Sequence, residues 1–197
     1  MMADMELTKT NLEALGYSVS HFGTAQEAAD YLDSQIDGCS VGFGGSVTVE
    51  QLGIYPRLAK HNRALWHWDK AALTDLTDTD VYICSVNGLA ETGEIINIDG
   101  TGNRIASTLF GHKKVYLVVG SNKIAPDYDK ALWRARNVAA PKNAQRLHKN
   151  TPCAARGDRC YNCHSPERIC RALSVFWTKP TGTKDIEVVL VDEELGY

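Results

Sequence analysis

The chain has no apolar run approaching the ~20 residues that a membrane-spanning helix requires. It also lacks any zinc-finger, RNP or basic-zipper pattern, and its pI is near 6.1. Nucleic acid is therefore not an expected partner. No internal repeat, low-complexity stretch or long linker interrupts the 197 residues, so a single domain over 1–197 is expected. The opening segment, Met1-Met2-Ala3-Asp4-Met5-Glu6, is acidic and has no apolar leader core. That makes the cytoplasm the expected compartment. Basic residues are scarce in the first half, where residues 1–100 carry 5 Lys/Arg against 15 Asp/Glu.

What is present is ordinary for a soluble globular chain, with 44% apolar and 23% charged residues. The length allows a sizeable core without staples. The second half reverses the charge, with 16 Lys/Arg against 9 Asp/Glu over 101–197. The excess is densest between Lys123 and Lys149, where seven basic residues meet two acidic ones. Such a run is either a solvated helix face or an attractor for an anionic ligand.

Short apolar strands alternate with amphipathic helices through most of the chain. Leu7, Leu12, Leu15 and Tyr17 form a helical stripe that stops at Gly16. Thr24 and Glu27 have capping-box spacing ahead of Ala28, Ala29, Leu32 and Ile36, predicting a helix up to Gly38. Strands are predicted at 39–43, 64–66, 81–85, 94–98, 114–120, 172–177 and 185–191. Helices are predicted at 70–76, 103–110 and 127–137. The run Lys114 to Gly120 is almost wholly apolar, as in a strand covered on both faces. This alternation predicts an α/β sandwich around a largely parallel sheet. The last two strands, joined through Pro180-Thr181-Gly182, are expected to pair antiparallel.

Four segments carry chemistry. Gly42-Phe43-Gly44-Gly45-Ser46-Val47-Thr48 follows a strand and opens a helix, so bare backbone and the hydroxyls of Ser46 and Thr48 can meet an anion. The alternative is a tight turn with Ser46 or Thr48 as helix cap. It matches neither the dinucleotide fingerprint nor the Walker loop. The stretch 85–104 starts at the C-terminal end of a strand, where α/β sheets bind ligands. There Asn87, Asp99, Gly100, Gly102, Asn103 and Arg104 are candidate ligand contacts, and Glu91 or Glu94 a candidate base or nucleophile. The alternative reading makes the Asn and Asp residues turn and cap formers. Gly120-Ser121-Asn122-Lys123 places Asn122 and Lys123 past another strand, where Lys123 can neutralise a phosphate or carboxylate or simply face solvent.

The fourth segment is the irregular insert at 148–170, which holds Cys153, Cys160, Cys163 and Cys170. Four thiols within 18 residues supply the ligand number of structural zinc or of an iron–sulfur cluster. The spacing does not choose between them, and thiol–disulfide chemistry is a third option. His67, between two tryptophans, is expected to pack rather than to bind.

Gly44-Gly45-Ser46 with Glu50, Ser85-Val86-Asn87, Thr92-Gly93-Glu94 and the run Asn97-Ile98-Asp99-Gly100-Thr101-Gly102-Asn103-Arg104 together resemble the LUD (lactate-utilisation, formerly DUF162) domain family. Val118 to Ile124, Arg136 to Ala144 and Thr151-Pro152-Cys153 onward are similar to the same family. The resemblance spans roughly residues 5–197. It implies a three-layer α/β/α fold like the NagB/RpiA/CoA-transferase group, and from that group a homodimer. It also implies a role accessory to, or part of, an iron–sulfur system that oxidises lactate to pyruvate, with a small anionic ligand. The alternatives are an enzyme on a phosphorylated or CoA-linked substrate, or a binding module with structural zinc. Val86 stands where the catalytic glutamate of CoA transferases would fall, which argues against that chemistry.

Overall fold

The computed structural model describes residues 3–197. Met1 and Met2, which open the acidic segment, lie outside the described residues. Two sheets organise the chain. The larger holds β1 (Ser18–Phe22), β2 (Ser40–Phe43), β3 (Arg63–Trp66), β4 (Val81–Ser85), β7 (Lys114–Gly120) and β10 (Asp185–Val191). Its order is β1-β10-β7-β4-β2-β3 and every pairing is parallel. The smaller holds β5 (Gly88–Ala90), β6 (Ile95–Asp99), β8 (Ile124–Ala125) and β9 (Ala172–Phe176), in the order β8-β5-β6-β9.

The helices are α1 (Met5–Ala14), α2 (Ala25–Gln35), α3 (Val47–Leu52), α4 (Tyr55–Leu58), α5 (Asn103–Leu109), α6 (Tyr128–Arg134), α7 (Ala140–Arg146) and α8 (Pro152–Arg156). The capping box is formed: Thr24 Oγ1 accepts from Glu27 N, and Glu27 Oε2 accepts from Thr24 N. It starts α2 so that Ala28, Ala29 and Leu32 bury against the large sheet.

The apolar run of β7 has a direct structural meaning. Tyr116 and Val118 join the core under α2 and α3, whereas Val115, Leu117 and Val119 join the core on the opposite face. That second core is closed by Leu12 of α1 and by Leu89, Ile95 and Phe176 of the small sheet. The result is a three-layer α/β/α sandwich with the small sheet added beyond the C-terminal edge of the large one.

Three expectations need correction. The last two strands do not pair. β9 runs antiparallel to β6 in the small sheet, and β10 lies between β1 and β7 in the large one. Adjacent hairpin pairing is only a default, and here the apolar faces of β10 require cover on both sides. Residues 70–74 form turns and irregular backbone between two 3₁₀ segments, His67–Asp69 and Asp75–Asp78, in place of the α-helix expected over 70–76. The helix expected over 127–137 continues to Arg146 through a π turn at Ala135–Ala139. Pro141 supplies the reason. It has no N–H, and its ring would crowd the carbonyl of Asn137 in a regular helix, which a wider turn relieves.

One ion pair joins β7 to β10, and a hydrogen bond ties it to α2. Lys114 Nζ lies 2.7 Å from Glu187 Oε2, and Tyr31 donates to Glu187 Oε1 at 2.8 Å. Glu187 is buried, so removing Lys114 strands a carboxylate away from water. Lys114→Ala is expected to lower unfolding free energy by about 3 kcal/mol in urea titrations, with Glu187→Gln in that background recovering most of it. A loss below about 1 kcal/mol would show that the pair is effectively solvated.

Candidate functional site

The C-terminal ends of β2, β4 and β7 meet the small sheet around a cavity of about 260 Å³. Each strand delivers one wall. β2 runs into Gly44-Gly45-Ser46, where Ser46 Oγ accepts from Val49 N at 3.3 Å and starts α3. A side chain at either glycine would force its neighbours to move. A Cβ on Gly44 would sit 2.8 Å from the Tyr82 hydroxyl, and one on Gly45 would sit 2.9 Å from the His67 ring. Ser46 and Thr48 both line the cavity.

β7 ends in a 3₁₀ turn, Ser121–Lys123, that turns Lys123 inward. Lys123 is only 4% exposed. Its Nζ lies 2.7 Å from Thr48 Oγ1, 2.9 Å from Ser85 Oγ and 3.1 Å from the Val86 carbonyl. The hydroxyl protons of Thr48 and Ser85 are already committed, to the carbonyls of Leu195 and Val118. All three neighbours therefore offer lone pairs, and only an ammonium donates three hydrogen bonds. Burial, together with the Arg134 and Arg104 guanidiniums, pushes the Lys123 pKa well below its usual value. The acceptors thus favour the charged amine, while burial and the two guanidiniums oppose it. Among the described residues, no carboxylate lies within ion-pair distance of Lys123, Arg104 or Arg134.

Arg104 ties the two sheets together beside this amine. It donates to the Ser85 carbonyl at 3.1 Å, to Asn87 Oδ1 at 2.8 Å and to the Ile98 carbonyl at 2.7 Å. Arg134, on α6, is 9% exposed and donates to the carbonyls of Asn122 and Asn87, both at 2.6 Å. Burial lowers its pKa to about 10. Three cations thus converge on one region, two of them lining the cavity.

Several residues expected to touch ligand also shape the site, and of these Asn87, Asp99 and Gly100 line the cavity. Asp99 lines the cavity, but its carboxylate accepts from Thr101 N, Arg104 N and Ile105 N, capping α5. Asn87 Oδ1 is shared by Ile98 N and Arg104. Gly102 takes a left-handed φ of +90° before α5, which glycine accepts without strain. Gly100 lies against the Ile169 carbonyl, where a Cβ would sit at 2.8 Å. Asn122 binds the tail, accepting from Leu195 N and donating to the Gly196 carbonyl. Asn103 faces the cavity.

The candidate catalytic carboxylates lie elsewhere. Glu91 and Glu94 sit in the β5–β6 turn. There Glu91 accepts from Asp4 N at 2.9 Å, and Glu94 accepts from the Thr92 hydroxyl. The Glu91 carbonyl accepts from Asn11 of α1, so this turn packs on α1 and neither carboxylate lines the cavity. The structure also adds residues that the sequence did not single out as ligand contacts: His67, Trp68, Asn143, Arg146 and Tyr197. Arg146 stacks over Trp68 at 5.0 Å, forming the rim. The end of β3 beside β2 was the available signal for His67 and Trp68.

The four insert cysteines gather around a second, smaller cavity with Arg136 and Arg168. All are free thiols. Among the described residues, no three Cys, His, Asp or Glu side chains converge closely enough to hold a single metal ion. No described helix is long and apolar enough to cross a membrane.

Comparison with known proteins follows the same lines. No curated protein matches the chain. A DUF162 family protein from Deinococcus radiodurans, known from its crystal structure, superposes with a TM-score of 0.57 over 95% of each chain at 14% identity. At that identity the likeness shows a shared fold. The family model of the LUD domain matches residues 5–191. A match over nearly the whole sequence, on a fold shared with a DUF162 protein, shows that the chain belongs to the LUD domain family.

Proposed function

We propose that this LUD domain binds a small anion, a three-carbon carboxylate such as lactate or pyruvate, over Lys123, as part of or accessory to an iron–sulfur lactate-to-pyruvate oxidation system. The observation that carries the reading is the buried Lys123 amine, whose Nζ has three hydrogen-bond acceptors and no counter-ion within reach. A buried charge is expensive unless paired. A bound carboxylate supplies the missing negative charge, with Arg104 as its second cation.

Size supports a small ligand over a CoA ester. The cavity, about 260 Å³, is below the ~300–1,000 Å³ typical of drug-sized pockets. A ligand of about six non-hydrogen atoms reaches at most roughly 9 kcal/mol, so micromolar affinity is the ceiling. The lactate-utilisation name of the family supports the carboxylate.

Thermal shift and calorimetry with lactate, pyruvate, inorganic phosphate and CoA test the reading. At a hundredfold excess over Kd, ligand stabilises by about 2.7 kcal/mol, a readily measured rise in Tm. Lactate or pyruvate should raise Tm more than CoA does. If only CoA or a sugar phosphate binds, the alternative of a phosphorylated or CoA-linked substrate takes its place. If no anion shifts Tm at tens of millimolar, the cavity is not an anion site.

A further inference from the structure

We propose that Cys153, Cys160, Cys163 and Cys170 ligate an iron–sulfur cluster set against the wall of the Lys123 cavity. The fold brings the four together from separate elements. Cys153 lies in α8, Cys160 and Cys163 in the loop that follows, and Cys170 just before β9, yet all four line one small cavity. Four thiols facing one pocket match the ligand number of such a cluster.

The donors around the sulfurs suit an anionic centre. Arg168 donates to Cys170 Sγ at 3.4 Å, and Arg136, from the π turn, to Cys160 Sγ at 3.9 Å. Asn162 takes a left-handed φ of +45° and directs its N–H to Cys160 Sγ at 3.3 Å. A four-thiolate cluster carries net negative charge, and hydrogen bonds to its sulfurs tune its potential. Two guanidiniums and an amide supply both. The position is also informative. Ala140 and Ile169 line this cavity and the Lys123 cavity alike, so the two sites share one wall. A cluster there is placed to serve as an electron carrier beside the anion.

The test is made on the full chain, purified without oxygen and supplied with ferrous iron and sulfide. The expected result is about four irons and four acid-labile sulfides per chain, with a broad absorption near ~400 nm that bleaches with dithionite. The Cys160→Ser/Cys163→Ser variant should lose at least tenfold of the iron while keeping its circular dichroism. If that variant does not fold, the wild-type iron and sulfide content decides alone. One zinc per chain without sulfide would overturn the proposal, as would a metal-free Cys160–Cys163 disulfide found by mass spectrometry. So would a colourless, reduced chain after reconstitution. Metal content is read with no anion present, so failure here and failure of the carboxylate reading are separate results.

Discussion

Lys123→Met is expected to abolish the stabilisation that lactate or pyruvate confers, weakening binding at least a hundredfold, while leaving the unliganded protein as stable as the wild type or more so. The two effects have opposite signs because they act on the same buried charge. Losing one partner of a desolvated, hydrogen-bonded pair costs roughly 2–5 kcal/mol of binding. In the free protein the ammonium is unpaired, and replacing a buried ion by an apolar side chain of similar volume is often neutral or stabilising. Thr48 and Ser85 keep their own donor bonds to Leu195 and Val118, so the substitution orphans no hydroxyl proton. The pH dependence gives an independent check. The folded-state pKa of Lys123 is lowered, so between it and the unfolded value near ~10.4 the unfolded chain binds the extra proton. Wild-type stability should therefore rise with pH through that window relative to the Met variant. Anion affinity should fall over the same range, because only the ammonium pairs with a carboxylate. Scanning calorimetry and isothermal titration across pH measure both. A Met variant that binds lactate as wild type does, or a flat difference in stability with pH, would remove Lys123 from the site.

The fold was legible where burial is two-sided or capping is local. Lys114 to Gly120 reads as a doubly covered strand because each alternate residue meets a different core. Thr24 and Glu27 announce α2 because both halves of the box lie within four residues. The site was legible as loops: Gly45 to Thr48, Asp99 to Thr101, Asn103, Arg104 and Lys123 come to one cavity. Roles were less so. Asp99 and Asn87 line the cavity, but the sequence does not reveal that their oxygens also hold backbone amides and Arg104. Glu91 and Glu94 fall within a polar-rich stretch, but the β5–β6 turn carries them to α1, and no local pattern encodes that direction. Arg134 lies on a helix whose other cation, Lys130, faces solvent. Only tertiary packing reveals that its guanidinium is buried under Asn87 and Asn122. The pairing of β9 with β6 and of β10 with β7 likewise depends on contacts far apart in the chain.

Arg104→Ala should produce the larger combined loss. It is expected to lower unfolding free energy by about 3 kcal/mol and to weaken anion binding at least tenfold. The guanidinium joins the end of β4 to the end of β6 through two carbonyls and Asn87 Oδ1, so its removal loosens the seam between the sheets. Each charged hydrogen bond contributes about 1.5–3 kcal/mol, and an acceptor left buried costs about 1–3 kcal/mol. Arg104 is half-buried and borders the cavity, so water reaches some of these acceptors and holds the total below the simple sum. Arg104→Lys separates charge from tether. A lysine restores a point charge but cannot fork across three acceptors, so anion affinity should recover well and stability only in part. Urea titration and calorimetry on the two variants read the two quantities. A further consequence distinguishes this account from general loosening. Arg104 is one of the two guanidiniums that oppose the Lys123 charge. Removing it should let Lys123 hold its proton to higher pH, so the pH at which residual anion binding fails should move upward in Arg104→Ala and stay near the wild-type position in Arg104→Lys. An unshifted profile in Arg104→Ala would mean that the Arg104 charge does not oppose that of Lys123.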